Sequence, residues 1–292
     1  MRILVSYRGI PQSPGWATGD LVAKAFRKLG HEVDIHAKFY QKNLWVESNP
    51  IRPEYDLFLF LECNDGDEQY LNLKQIHARR TACWFFDTSY YPDHLQGLQQ
   101  YFGFDLQFIA NPLELGYFPN AYHMPYACDR ELHGRELVTK KRHVALVGSD
   151  RQDRRDLQSR LRFAGIEMDI ISNVFRADYI NALAESEYVI NQNPAAGRGL
   201  FNMRQYEAPA AGSIILTEGQ DYDANEGEFQ HLVNCLVYYN PKELVDLIHT
   251  VDKNKSEKEN IRIAGQNHVL KHHTYEARCR EILELAFPNE AT

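Results

Sequence analysis

His143-Val144-Ala145-Leu146-Val147-Gly148-Ser149-Asp150 begins, in the middle of a 292-residue chain, the same strand–turn–helix pattern with which the chain opens. The apolar run predicts a buried strand and the turn a connection. Arg154–Ala164, closed by Gly165, predicts the helix that follows. Working downstream, strands are predicted at Met168–Ser172, Tyr188–Asn191, Ser213–Thr217 and Cys235–Tyr238. Helices are predicted at Arg176–Ser186, Asn202–Ala211 and Lys242–Val251, and two more, near Lys255–Leu270 and Tyr275–Ala286, end the chain. Working upstream, the first half has strands at Arg2–Ser6, Val33–Ala37, Asp56–Leu61, Thr81–Phe86, Leu106–Ala110 and Ala121–Met124. A helix through Leu21, Val22, Ala25, Phe26 and Leu29 stops at Gly30, and another is expected near Glu68–Ala78.

Two successive β/α series predict an α/β protein of two Rossmann-like domains facing across a cleft. The polar stretch Asp129–Arg142 reads as the linker, giving domains 1–135 and 136–292, with the last helix free to return to the first. In such sheets ligands bind beyond the carboxyl ends of the strands, so the loops after each strand are where chemistry is expected.

Composition narrows the classes. Apolar residues are 44% and charged residues 25% of the chain, ordinary for a globular protein able to bury a core. The formal net charge of −8 lends little support to nucleic-acid or anionic-membrane binding, without excluding a nucleic-acid acceptor. Five scattered cysteines, with no Cys-x-x-Cys pair, argue against a disulfide framework or a structural zinc and for reduced thiols in the cytoplasm. No segment approaches the ~20 apolar residues of a membrane-spanning helix, and the amino terminus lacks a signal peptide.

The segment Asn202-Met203-Arg204-Gln205-Tyr206-Glu207-Ala208-Pro209-Ala210-Ala211-Gly212-Ser213-Ile214-Ile215-Leu216-Thr217 carries the most chemistry. The loop before it includes Gly197, Arg198 and Gly199, and its glycines allow close backbone approach to a ligand. A helix amino terminus attracts phosphate, and Arg198 and Arg204 can add charge-assisted contacts. Glu207, about one turn into the helix, can accept two ribose hydroxyls or, alternatively, pair with Arg204 at i, i+3. The turn Gly148-Ser149 with Arg154 and Arg155 is a second candidate phosphate contact, though adjacent helical residues diverge by about 100° and cannot both face it.

This segment resembles the donor-site helix of group-1 glycosyltransferases of the GT-B type, in particular the spore-maturation (CgeB-like) subgroup, which reads Asn-x-Arg-x-Phe-Glu-Ala-x-Ala-x-Gly before an apolar strand ending in Thr. Tyr206 and Pro209 depart from that pattern. The resemblance extends over Val147-Gly148-Ser149 with Arg154-Arg155 and over Val269–Tyr275, about half the chain. It implies transfer of a sugar from a nucleotide-sugar, UDP-sugar favoured, to an acceptor hydroxyl, with no cofactor and no metal. It implies donor contacts at Gly148, Ser149, Arg154, Arg155, Arg198, Asn202, Met203, Arg204 and Glu207. Retaining relatives carry a second Glu eight residues before the ribose-binding one. Gly199 occupies that position here, so the stereochemical outcome does not transfer.

Trp84-Phe85-Phe86-Asp87 resembles a Trp-x-x-Asp segment of the subgroup, and Met124–Asp129 a Pro-x-Ala/Val-Asp segment. They place Asp87 as candidate base, with His94 as its orienting partner, and Asp129 on the acceptor side. The loop Gly9–Gly19, which includes Gly15, reads as acceptor-side from its position after the first strand, and Tyr90 and Tyr91, just past a strand end, can stack on a sugar face. Asp93 and His123 are further base candidates. Asp87 also suits a turn with Thr88 and Ser89, and Thr18 or Asp20 suits a helix cap. His272-His273 reads as a solvated helix start rather than a metal pair. Asp65-Gly66-Asp67 has the form of a metal clamp but sits in the first half. The competing readings are a non-catalytic nucleotide-sugar-binding module, a nucleotide-sugar epimerase of the same fold, and an oxidoreductase. The absence of Gly-x-Gly-x-x-Gly from both first turns speaks against the oxidoreductase.

Overall fold

The computed structural model describes residues 1–8, 16–41, 44–47, 52, 54–61, 76–86, 88, 92–136, 138–193, 199–225 and 227–290, without the side chains of 38–41, 44–47, 92, 94, 98 and 101. The chain divides into two compact units, Met1–Pro125 with Tyr275–Thr292, and Tyr126–Thr274. This differs from the 1–135 and 136–292 division at both ends.

The first unit contains β1 (Arg2–Arg8), α1 (Thr18–Lys28), β2 (Glu32–Gln41), β3 (Leu44–Glu47), β4 (Glu54–Leu61), β5 (His77–Phe85), α2 (Pro92–Phe102), β6 (Leu106–Ile109) and β7 (Tyr122–His123). The sheet order is β3-β2-β1-β4-β5-β6-β7, parallel except for β3, which pairs antiparallel with β2 at the edge. Leu57 to Leu61 are all buried, as a central parallel strand covered on both faces requires. One expectation fails here and one helix is added. β5 starts at His77, so the end of the helix expected near Glu68–Ala78 is strand, the rest lying outside the described residues. The helix α2 follows Pro92, whose fixed φ suits a first helical turn.

The second unit contains α3 (Arg130–His133), β8 (Arg142–Val147), α4 (Gln152–Phe163), β9 (Met168–Ile171), α5 (Arg176–Ala184), β10 (Ser186–Asn191), α6 (Arg204–Ala210), β11 (Ile214–Glu218), α7 (Gly219–Ala224), β12 (Leu236–Tyr238), α8 (Pro241–Lys253) and α9 (Lys255–His272). Its sheet is fully parallel in the order β12-β11-β10-β8-β9. The connection direction reverses between β8 and β10, a topological switch point. One core of Val144, Leu146, Tyr188, Ile190, Leu216, Leu244 and Ile248 fills a face of this sheet. α6 ends where Gly212 takes φ +84° and Ser213 N–H bonds the Ala208 carbonyl, the left-handed stop that glycine adopts without penalty.

The stretch 129–142 is more than a linker. Asp129 Oδ1 accepts from the N–H groups of Glu131 and Leu132 and caps α3, which carries the buried His133. The last helix, α10 (Tyr275–Ala286), belongs to the first unit: Cys279 Sγ meets the Val22 carbonyl, Arg278 Nε donates to the Pro125 carbonyl at 3.1 Å, and Lys28 pairs with Glu276 at 3.0 Å. Cys128 forms a parallel bridge with Thr274, so both ends of the second unit leave it side by side. His273 is buried and stacked on Phe229, centroids 5.6 Å apart, while His272 is exposed, so the pair stands at a helix end rather than a start and only His272 is solvated.

Candidate functional site in the second unit

The carboxyl ends of β8 and β10 flank the switch point, and charged side chains gather there. Gly148, just after β8, takes φ +151°. A Cβ at this position would lie 3.1 Å from Arg154 Nη1 and 3.1 Å from Arg204 Nη1, so two guanidinium groups converge on the bare backbone of one glycine.

The two are held differently. Arg154, 2% exposed, donates from Nη1 to the Ser149 carbonyl at 2.5 Å and from Nη2 to the Gln192 carbonyl at 3.0 Å, which ties α4 to the end of β10. Burial, then the Arg204 and Arg151 cations, lowers its guanidinium to about 10, still charged at neutral pH. Arg204 is half-buried. Among the described residues its guanidinium has no hydrogen bond or ion pair, and its Nε is buried without a partner. Desolvation pulls its pKa down too. Tyr179 and Glu207 act on it in the opposite sense from a distance, and a desolvated cation without a direct partner favours the arrival of an anion.

Arg155 turns away: it is exposed and pairs with Asp150 at 2.8 Å. Arg154 therefore faces the glycine and Arg155 faces solvent, as their 100° offset requires. Ser149 is exposed, with its hydroxyl 3.3 Å from Arg154 Nη1.

Behind the arginines, α6 is pinned by a buried polar set. Gln205 Oε1 accepts from Asn191 Nδ2 at 3.1 Å and from Thr217 Oγ1 at 2.8 Å, linking the ends of β10 and β11. Asn202 is a scaffold residue: its Oδ1 caps the Arg204 N–H at 3.0 Å, and its Nδ2 donates to Asn193 Oδ1. Asp221 holds the same loop by accepting from the Gly199 N–H at 2.7 Å and from Asn193 Nδ2 at 2.9 Å. Met203 is 39% exposed at the start of α6.

Glu207 is buried, and both of its oxygens are engaged. Tyr179 Oη donates to Oε2 at 2.5 Å, and His133 Nε2 lies 3.3 Å from Oε1. His133 Nδ1 accepts the Asp129 N–H at 2.9 Å, which leaves Nε2 as the nitrogen that carries the proton toward Glu207. The i, i+3 ion pair with Arg204 does not form among the described residues; Tyr179 and His133 take that carboxylate instead. Neither partner is legible in the sequence, because one lies on α5 and the other in the stretch read as linker.

Glu218, at the end of β11, is half-buried and also absent from the sequence reading. Burial, then the Asp221 carboxylate, pushes its carboxyl up to about 7.

The first unit carries less that can be placed. Asp87, Gly15, Tyr90, Tyr91, Arg198 and the Asp65-Gly66-Asp67 segment lie outside the described residues, as does the side chain of His94, a residue of α2. Asp129, expected on the acceptor side, belongs to the second unit, and its Oδ1 caps α3. His123 Nε2 is 3.3 Å from the Ala110 carbonyl, and burial lowers its pKa. Asp93 is exposed in the first turn of α2. Asp20 serves as a cap: its Oδ2 accepts the Ala17 N–H at 3.0 Å and its other oxygen the Tyr7 hydroxyl.

Among the described residues, His143, Glu187 and Asp252 have metal-ligating atoms close together. They sit at the opposite end of the sheet from Gly148. Lys258 Nζ already bonds Glu187 at 2.5 Å and Asp252 at 2.8 Å.

Solved structures share this pair of parallel sheets, the GT-B fold. Sucrose-phosphate synthase from Thermosynechococcus elongatus has 11% identity, 98% of each chain covered and a TM-score of 0.67. The Anabaena protein HepE, solved with UDP and glucose, has 12% identity over 98% of this chain and 99% of its own, TM-score 0.64. An alpha-glucosyltransferase solved with UDP and a 13-mer DNA containing an HMU base has 10% identity over 99% and 100%, TM-score 0.67. No curated protein matches the chain. The glycosyl transferase-like family model matches residues 130–284, more than half of the sequence, and spans every residue of the Gly148 site. The chain therefore belongs to the glycosyl transferase-like family and is a glycosyltransferase.

Proposed function

We propose that this enzyme transfers a sugar from a nucleotide-sugar, with a UDP-sugar favoured, to an acceptor hydroxyl, and that it binds its donor without a metal. The observation that carries this reading is the convergence of Arg154 and Arg204 on Gly148, with the Arg204 guanidinium in no direct ion pair or hydrogen bond among the described residues, although Glu207 lies within electrostatic reach. A diphosphate supplies the missing counter-charge, and two guanidinium groups can neutralise it as a metal does elsewhere. Solved structures of the same fold hold UDP, which supports uracil as the base.

In this reading Gly148, Ser149, Arg154 and Arg204 meet the diphosphate, joined by Arg198. Glu207 accepts the ribose hydroxyls on the lone pairs that Tyr179 and His133 leave free. Asn202 and Met203 shape the loop beneath, and Arg155 contributes only charge from outside. Where transfer inverts configuration, Asp87 takes the acceptor proton, with His94 orienting it and Gly15, Tyr90 and Tyr91 beside the acceptor. The Asn202-x-Arg204 pattern supports placement in the CgeB-like subgroup. Buried free cysteines and the lack, among the described residues, of a helix long and apolar enough to cross a membrane support a cytoplasmic site of action.

The test is a thermal-shift and calorimetric screen with UDP, GDP, dTDP and CMP and their sugars, run in EDTA. A ligand of the native state raises the melting temperature. If no nucleotide or nucleotide-sugar binds, the reading is wrong. If one binds but no sugar reaches any acceptor in a mass-spectrometric screen, the protein is a binding module.

A further inference from the structure

The carboxyl edge of the second sheet presents its polar groups strand by strand: Gly148 at the end of β8 with its two arginines, then Gln192 and Asn193 after β10, and last Glu218 at the end of β11. Tyr179 on α5, which packs against β8, β10 and α6, holds Glu207. A nucleotide-sugar is equally ordered: nucleoside, diphosphate, sugar. With the diphosphate on the arginines beside β8, a sugar directed along this edge reaches the ends of β10 and β11.

What waits there is acceptor-rich. Glu218 forms no ion pair among the described residues, although Arg154 is within electrostatic reach. The Asn193 N–H and the Gln192 side chain are its polar neighbours. Gln192 Oε1 is buried without a partner. So is the hydroxyl of Tyr238, a residue only 3% exposed that stands opposite Glu218 in the β11–β12 register and within the field of Glu218 and Asp221. The Tyr238 hydroxyl and Gln192 Oε1 keep these surroundings polar beneath a half-buried carboxylate, and that carboxylate suits a neutral ligand with several hydroxyl groups, because a second anion there would be repelled. A sugar ring is such a ligand.

We infer that Glu218 accepts hydroxyl hydrogens from the sugar of the bound donor, and so makes the site prefer a glycosylated nucleotide to the free nucleoside diphosphate. This rests on the nucleotide-sugar reading above. Glu218 acts on binding and sugar choice, and no covalent step passes through it.

The experiment compares wild type, Glu218→Gln and Glu218→Ala by calorimetry against UDP, UDP-glucose, UDP-galactose, UDP-N-acetylglucosamine, GDP and GDP-mannose, with circular dichroism to confirm folding. Wild type should bind at least one nucleotide-sugar roughly tenfold to a hundredfold more tightly than its free nucleotide, the scale of a charge-assisted hydrogen bond. Both variants should bring that ratio close to one. The free nucleotide should bind them at least as tightly as it binds wild type, since a negative charge near the diphosphate has gone. A wild type without sugar preference overturns the inference, as does a preference that survives in both variants. Failure of every nucleotide to bind points instead to an error in the donor reading itself.

Discussion

Arg154 and Arg204 bring their Nη1 atoms to the same side of Gly148, each 3.1 Å from where a Cβ would stand, and the Nε of each is buried without a partner, yet only Arg154 gives its Nη groups to backbone carbonyls. The pair is thus one cation anchored to the backbone and one whose guanidinium makes no hydrogen bond among the described residues. Arg204→Gln should weaken UDP binding by roughly tenfold to a hundredfold. It should leave uridine binding unchanged and the melting temperature equal or higher, because a desolvated charge has been removed. Equal loss for UDP and uridine in a calorimetric titration would show that Arg204 does not serve the diphosphate.

Glu207 needs a different forecast, because its burial between Tyr179 and His133 makes it part of the fold. Glu207→Ala leaves a phenol and an imidazole N–H unmatched, costing about 1–3 kcal/mol. The melting temperature should fall along with donor affinity. The ribose role is separable: wild type should prefer UDP to 2′-deoxy-UDP and the variant should not. An unaltered preference would reduce Glu207 to a packing residue.

Donor binding should survive chelation. With EDTA in excess, UDP affinity should stay within about threefold of its value in magnesium. Abolition of binding by EDTA, restored by magnesium or manganese, would refute the arginine-only account.

Glu218 should mark the pH profile of stability. Its carboxyl is held up to about 7 in the fold, chiefly by burial, against an ordinary value of 4.5. Between those values the native state binds more protons than the unfolded chain, so stability falls as pH rises from 4.5 and the penalty is complete above 7. Discounted for partial exposure, the loss is about 1–2 kcal/mol, or roughly 2–8 °C in melting temperature. Glu218→Gln should remove that part of the slope and melt higher than wild type at pH 8. Parallel curves for the two proteins from pH 5 to 8 would contradict the assigned shift.

Asp87→Asn, assayed with an identified acceptor, should lower turnover by roughly 10²–10⁴ while sparing UDP affinity. Turnover near wild type excludes Asp87 as the base, and retention of configuration in the product removes the need for one.

The α/β class and eleven of its strands were legible in the sequence because β/α alternation is local: each buried parallel strand is an unbroken apolar run and each helix repeats every three to four residues. Arg154, Arg204 and Glu207 stood out for the same reason, each lying in a short motif beside a strand or helix end. The edge strand β3 offers only the short run Leu44-Trp45-Val46, and α2 began on a proline within an aromatic stretch, so neither was foreseen. The partners of Glu207 were not legible, because His133 and Tyr179 lie 74 and 28 residues away along the chain and only packing of α3 and α5 against α6 brings them to one carboxylate. Glu218 reads as an ordinary strand-end residue until its desolvation is known, and desolvation belongs to the folded surface. Which arginine keeps a partner and which is left bare was decided last, by whether a backbone carbonyl happened to lie within reach, as Ser149 and Gln192 do for Arg154 and nothing described does for Arg204.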